Sequence, residues 1–264
     1  MVSVDSIKNY ISGAKLLHLF LDYSCDGFTG FEVKLALKGL ARLNPHIRKQ
    51  PLPITPVILL KLHQTMDFRI EEDIVWWCLF LLSFFLMARK SNMVPVSVQK
   101  FDKKKQLLNK DLILGDHTVM VHLKWSKTNQ FGTRKLLIPL VSIPGSPLCP
   151  VTAVRQMRSR VRSRSKDPAF AISSVRGVSP LTYPQFMQRL REALAMAGFN
   201  PYQFSSHSFR RGGATYAFSA GVHPLLIQLQ GDWVSDSYRR YLEFDVKKRA
   251  EVAKKVRSFI LAAI

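Results

Sequence analysis

Residues 206–214 read Ser206-His207-Ser208-Phe209-Arg210-Arg211-Gly212-Gly213-Ala214. His207 and Arg210 stand three apart, so on a helix their side chains share a face. A guanidinium offers bidentate donors to a phosphate, and an imidazole offers one hydrogen bond or a proton transfer, so such a face can hold one phosphate. Gly212, Gly213 and Ala214 are small enough to let another segment approach closely. Standing alone, the pair reads as an ordinary solvated helix face, and its meaning depends on the rest of the chain.

Upstream, Ile74 to Ala88 (IVWWCLFLLSFFLMA) is an apolar run closed by Asp73 and Arg89. A spanning helix needs about 20 such residues, so this run is expected to be a helix over 71–89 buried on all sides. The Arg89 guanidinium at its end either meets an anionic partner or marks the helix terminus and favours its dipole. Lys127, in Trp125-Ser126-Lys127-Thr128-Asn129-Gln130, falls on an expected hairpin and is either a proton donor or a solvated turn lysine, with Lys124 competing for the same role. Downstream comes Gly231-Asp232-Trp233-Val234-Ser235-Asp236-Ser237-Tyr238-Arg239-Arg240-Tyr241, with two tyrosines three apart. Buried tyrosines usually serve packing.

The chain has 264 residues, 39 Lys plus Arg against 18 Asp plus Glu, a net charge of +21, and 47% hydrophobic residues. That combination describes a folded chain with a polyanionic partner, nucleic acid first and an anionic membrane second. Cys25, Cys78 and Cys149 are odd in number and far apart, which suggests neither a disulfide framework nor a zinc site. No P-loop and no metal-spaced carboxylates are present.

The periodicity predicts a mainly α fold with a small antiparallel β-sheet (α+β). Two helices fill residues 1–50, the first behind Asp5. The cluster Pro51-Leu52-Pro53-Ile54-Thr55-Pro56 reads as a semi-stiff linker and domain boundary, with Thr55 and Pro56 starting a helix to Met66. Strands are expected over 96–101, 118–125 and 134–141. Helices follow over 150–162, 182–198, 206–220, 223–230, 235–243 and 246–263, the last behind Asp245 and carrying a stripe of Val252, Val256, Phe259, Ile260 and Ala263.

An arginine, a hairpin lysine, HxxR, Gly-x-Trp and a tyrosine follow one another in that order, and the sequence resembles the tyrosine recombinase/integrase family. The blocks ARKSNMVP, WSKTNQF, HSFRRGGATYA and GDWVSDSYRRYL are similar to those of DIRS-like and Ngaro-like retroelement recombinases, and the resemblance covers about residues 52–264. It implies a short, partial helical core-binding domain over 1–50 that clamps DNA, and a catalytic domain over 51–264. Arg89 and Arg210 would grip non-bridging phosphate oxygens, Lys127 would protonate the leaving 5′-oxygen, and His207 would accept a proton or position the phosphate. Trp233 would donate an indole hydrogen bond, and Tyr241 would be the nucleophile, with Tyr238 the alternative. Asp232 departs from the histidine that many relatives carry directly after the glycine.

The resemblance further implies a site-specific enzyme that breaks and rejoins double-stranded DNA for mobile-element integration. It needs no metal, cofactor or ATP, works as a homo-tetramer on DNA in the nucleus, and involves no membrane or small-molecule substrate. The helix 246–263 is similar to one that docks onto a neighbouring protomer, or else it packs on its own domain. Competing functions are a type IB topoisomerase-like enzyme and a domesticated DNA-binding module without catalysis. For the DNA surface, Arg155, Arg158 and Arg162 would line one helix face, with Arg211 beside the HxxR pair, as phosphate contacts that position but do not specify.

Overall fold

The structure is a computed structural model that describes residues 2–45, 50–126, 136–175, 177–241, 250, 254, 256–258 and 260–261, the side chains of Arg240 and Tyr241 excepted. The chain separates into two compact units, Met1–Gln50 and Pro51–Ile264.

In the first unit, α1 (Val4–Phe20) starts at Ser3, whose side chain accepts from Ser6 N; Asp5 sits in the first turn. A short turn leads to α2 (Phe31–Leu43). No described residue of this unit is buried, and the large apolar side chains of Tyr10, Leu17 and Leu21 are exposed.

The second unit begins with α3 (Pro56–His63), capped by Thr55 with Pro56 in its first turn. Its hub is α4 (Glu71–Phe85), in which every residue from Ile74 to Phe84 is buried. No helix among the described residues is long and apolar enough to cross a membrane. The short α5 (Lys90–Met93) follows. The strands β1 (Leu112–Leu114), β2 (Thr118–Leu123) and β3 (Leu136–Val141) form an antiparallel sheet in that order, with Val121 opposite Leu112 on one side and Ile138 on the other. Alternation along β2 and β3 buries Val119, Val121, Leu123, Ile138 and Leu140. Then come α6 (Pro150–Arg160), a hairpin of β4 (Ala171–Ser174) and β5 (Gly177–Pro180), α7 (Tyr183–Met196), α8 (Ser206–Ser219), α9 (Pro224–Gln230) and a 3₁₀ turn, Asp236–Tyr241.

Two glycines seat α8. A Cβ on Gly212 would stand 1.8 Å from the Ile54 carbonyl oxygen, and one on Gly213 would stand 2.2 Å from that of Phe84. The small-residue run thus serves close approach, with Phe80 and Phe209 stacked at 5.2 Å beside it. An ion pair of 2.7 Å between Asp73 and Arg189 ties α4 to α7.

Several details differ from the sequence reading, among them the expected helix 235–243, which is the 3₁₀ turn Asp236–Tyr241. The segment 51–55, expected as a semi-stiff linker, is tied to the larger unit: Leu52 N and Ile54 N donate to the Gln203 and Ser208 carbonyls, and Ile54 is fully buried. The hub helix stops at Phe85 and Met87 turns the chain at φ 46°, so Arg89 lies beyond the helix as the N-cap of α5. Residues 96–101 make a 3₁₀ turn, because Lys100 N and Phe101 N bond locally to Ser97 and Val98. Finally, α6 ends at Arg160, leaving Arg162 outside its face. Most of the expected helix 246–263, including Asp245, Val252, Phe259 and Ala263, lies outside the described residues.

Candidate active site

The helix carrying HxxR begins at Ser205, whose hydroxyl accepts from His207 N at 3.1 Å, while Ser208 Oγ accepts from Ser205 N at 3.0 Å. This reciprocal cap fixes the first turn of α8. His207 therefore sits at the helix start and Arg210 one turn in. Arg210 is only 2% exposed. Its Nη1 donates to the Met87 carbonyl, the group turned toward it by that residue's left-handed backbone. Its guanidinium carbon lies 3.7 Å from the centre of the Trp233 ring. An indole face attracts a guanidinium through the ring quadrupole, so Trp233 acts as a platform that orients Arg210.

Trp233 reaches that position by way of Gly231. A Cβ at Gly231 would stand 1.8 Å from the Trp233 ring, so only glycine admits the indole there. Asp232 between them takes φ 53°. Behind the platform, Met87, Ala214, Ile227, Trp233 and Tyr238 form a small apolar cluster apart from the main core. Tyr238 is 1% exposed, with its ring 6.1 Å from that of Trp233. Its ring packs within that cluster, and its side chain is hydrogen-bonded to that of Arg239.

Arg89 faces the same place from the turn after α4. Its Nη1 stands 3.7 Å from a carboxylate oxygen of Asp232, and its Nη2 donates to the Asp232 carbonyl at 3.3 Å. Any phosphate gripped by Arg89 competes with that carboxylate. His207 completes the group. It is exposed by surface area, yet its pKa is held below the ordinary 6.5, first by desolvation and then by the positive fields of Arg210, Arg89 and Lys90. Three cations thus converge on a neutral imidazole able to accept a proton.

The sign of that shift gives a pH prediction. If acid–base chemistry at this site uses neutral His207, its rate should hold as pH falls through 6.5 and decline only below it. In a pH profile of kcat/KM, an acid limb at or above 6.5 would count against this, and His207→Gln should remove the limb.

The structure brings together Arg89, His207, Arg210 and Trp233. Lys127 and the Tyr241 side chain lie outside the described residues. Lys124, the competing lysine, is 2.6 Å from the buried Asp111 carboxylate and donates to the Lys103 carbonyl. Three of the four arginines expected on the DNA surface also make hydrogen bonds within the protein. Arg158 donates to Asn109 and Leu112, Arg155 to the Gly115 and Asp116 carbonyls, and Arg211 to the Pro51 carbonyl. Arg162 is exposed. Sequence reasoning missed the Asp232–Arg89 pair and the Met87 carbonyl. The only signal for the former was the departure at Asp232 itself.

No family model matches the sequence, and no curated protein matches it. Solved structures do match. The Tn1549 transposon integrase in complex with a circular intermediate DNA superposes with a TM-score of 0.60 at 11% identity, over 97% of this chain and 80% of that one. XerH site-specific recombinase bound to palindromic difH substrate, a post-cleavage complex, gives 0.58 at 16% identity, over 82% and 57%. A lambda integrase dimer bound to a COC′ core site gives 0.53 at 15%, over 90% and 66%. The fold is that of the tyrosine recombinases. At these identities the likeness is one of fold, and this chain spans little more than half the length of XerH. On a tyrosine recombinase fold, the cluster described above lies on the hub of the larger unit, walled by α4, α8 and the turn after α9.

Proposed function

We propose that this chain cleaves and rejoins DNA strands through a 3′-phosphotyrosine intermediate, as a site-specific recombinase of a mobile element. The observation that carries the reading is the convergence of Arg89, His207 and Arg210, backed by Trp233, on one spot of this fold. Attack on a phosphodiester builds charge on two non-bridging oxygens, and cations fixed in advance stabilise it without reorganising. In the proposed chemistry the Tyr241 oxygen forms a bond to phosphorus as the bond to the 5′-oxygen breaks. The tyrosine proton goes to His207 or solvent, and Lys127 supplies a proton to the leaving oxygen. The reverse reaction with a different 5′-hydroxyl rejoins the strand. A free tyrosine has a pKa of about 10, and arginines brought beside it would favour its ionised form.

The retroelement resemblance extends the proposal to DNA integration in a nucleus, with four protomers on two DNA sites. On the same reading residues 1–50 serve to clamp DNA and residues 51–264 as the catalytic domain.

One observation favours a second reading, a DNA-binding module without catalysis: the Asp232 carboxylate facing Arg89. Covalent trapping separates the two. Incubation with nicked duplex DNA in EDTA should give a protein–DNA adduct on a denaturing gel, retained by Tyr238→Phe and lost in Tyr241→Phe. Loss only in Tyr238→Phe would move the nucleophile. Tight, salt-sensitive binding with no adduct from the unaltered protein would favour the binding module.

A further inference from the structure

A groove opens beside the site, with a cavity of about 530 Å³ between α5, the 95–106 segment and the start of α7. Lys90, Lys100 and Lys105 line it, against a single carboxylate, Asp102. All three lysines are exposed. The Lys90 ammonium is held 3.7 Å over the Tyr183 ring, and the Lys105 ammonium lies 5.5 Å from the centre of the Trp125 ring. Lys105 also stands 3.7 Å from Asp102, in a surface pair worth little in water.

The walls are tied by hydrogen bonds. Gln106 Nε2 donates to the Ser91 carbonyl at 2.8 Å, its Oε1 accepts from Asp102 N at 2.7 Å, and Tyr183 N donates to the Pro95 carbonyl at 2.8 Å. One of its lining residues, Lys90, directly follows Arg89 in the chain and is among the cations that lower the His207 pKa, which sets this end of the groove near the candidate active site.

We infer that this groove binds the sugar–phosphate backbone of the DNA strand next to the reacting phosphate, with Lys90, Lys100 and Lys105 as its phosphate contacts. The inference deepens the DNA-cleaving reading and rests on it. Fixed walls, a cationic lining and an aromatic side chain holding one ammonium suit a polyanionic strand running past a phosphate-gripping cluster. These lysines add to the phosphate contacts expected from the α6 arginines, of which Arg155 is exposed while donating to the Asp116 carbonyl, and Arg158 is half-buried and donates to the Asn109 carbonyl.

The test measures binding of the full chain to a nicked duplex as a function of salt. Lys100→Gln/Lys105→Gln is compared with Lys61→Gln/Arg191→Gln, which removes the same charge from two exposed residues outside the groove. Removing one lysine–phosphate interaction should reduce the slope of log K against log salt by about 0.9. The groove variant is therefore expected to show a slope shallower by nearly two units, and the control little change. Equal slopes in the two variants, or no salt-sensitive DNA binding by the unaltered protein, would overturn the inference. Adduct formation is read in the same samples. A slope change confined to the groove variant without any adduct keeps the groove and removes the cleavage reading. An adduct with equal slopes does the reverse.

Discussion

Arg210→Lys should slow formation of the protein–DNA adduct on a nicked duplex by about 10²- to 10³-fold, the loss typical of removing one preorganised donor from a developing oxyanion. Its affinity for DNA should change only a few-fold. A guanidinium 2% exposed must find its partners within the protein, and here the Met87 carbonyl takes one N–H while the Trp233 face covers the plane. Those two contacts fix the fork before any substrate arrives, so little orientational freedom is lost in the transition state. Lysine retains the charge and can reach the Met87 carbonyl, but it is a single compact ammonium on a flexible stem. It can serve that carbonyl or a phosphate oxygen, not both with the same geometry. Arg89→Lys should cost less, because Arg89 is more exposed and already shares its charge with Asp232. An Arg210→Lys rate within threefold of the unaltered protein would show that Arg210 is there only to hold the turn at Met87. A matching collapse of the thermal midpoint would point the same way.

What the sequence reveals and what it hides follow from the range of the interactions. The helices α4 and α8 are legible because each carries its own signal: an unbroken apolar run in one, and the His207–Arg210 spacing with small residues behind it in the other. The pairing of β2 with β3 is legible from local alternation. The strand β1 has three residues, too few for a period, and the β4–β5 hairpin reads AISS and GVSP, without the β-branched and aromatic density that marks strands. At the candidate site, HxxR places His207 and Arg210 together through helical geometry alone. The contact of Arg89 with Asp232 joins residues 143 apart in the chain, and the Arg210–Met87 bond spans 123. No local pattern encodes either. The α6 arginines show the same limit. Their spacing makes a stripe, but whether a stripe meets solvent or backbone carbonyls depends on what the fold packs beside it, and Arg158 meets Asn109 and Leu112.

Gly212→Ala should lower the stability of the 51–264 unit by about 2–4 kcal/mol, the upper range for forcing an extra group into a packed site. Helix propensity alone predicts the opposite sign, since alanine favours a helix interior over glycine by about 1 kcal/mol. Geometry decides the contest. The new Cβ would stand 1.8 Å from the Ile54 carbonyl oxygen and 2.8 Å from its carbon, and backbone cannot rotate away as a side-chain tip can. Either α8 or the 51–55 segment must move. Any such shift strains the hydrogen bonds from Ile54 N to Ser208 O, from Leu52 N to Gln203 O and from Arg211 to the Pro51 carbonyl, each worth about 1 kcal/mol. Denaturant unfolding followed by tryptophan fluorescence isolates this effect, because Trp76, Trp77, Trp125 and Trp233 all lie in the larger unit. Gly39→Ala in α2, where a Cβ would have nothing within 4 Å, should leave that transition in place. An unchanged or higher midpoint for Gly212→Ala would mean that α8 does not sit on the Ile54 backbone. A lower midpoint would carry a consequence for the chemistry as well: Gly213 and Arg210 ride on the same helix, so whatever lifts α8 from Ile54 also draws the Arg210 guanidinium away from Met87 and Trp233.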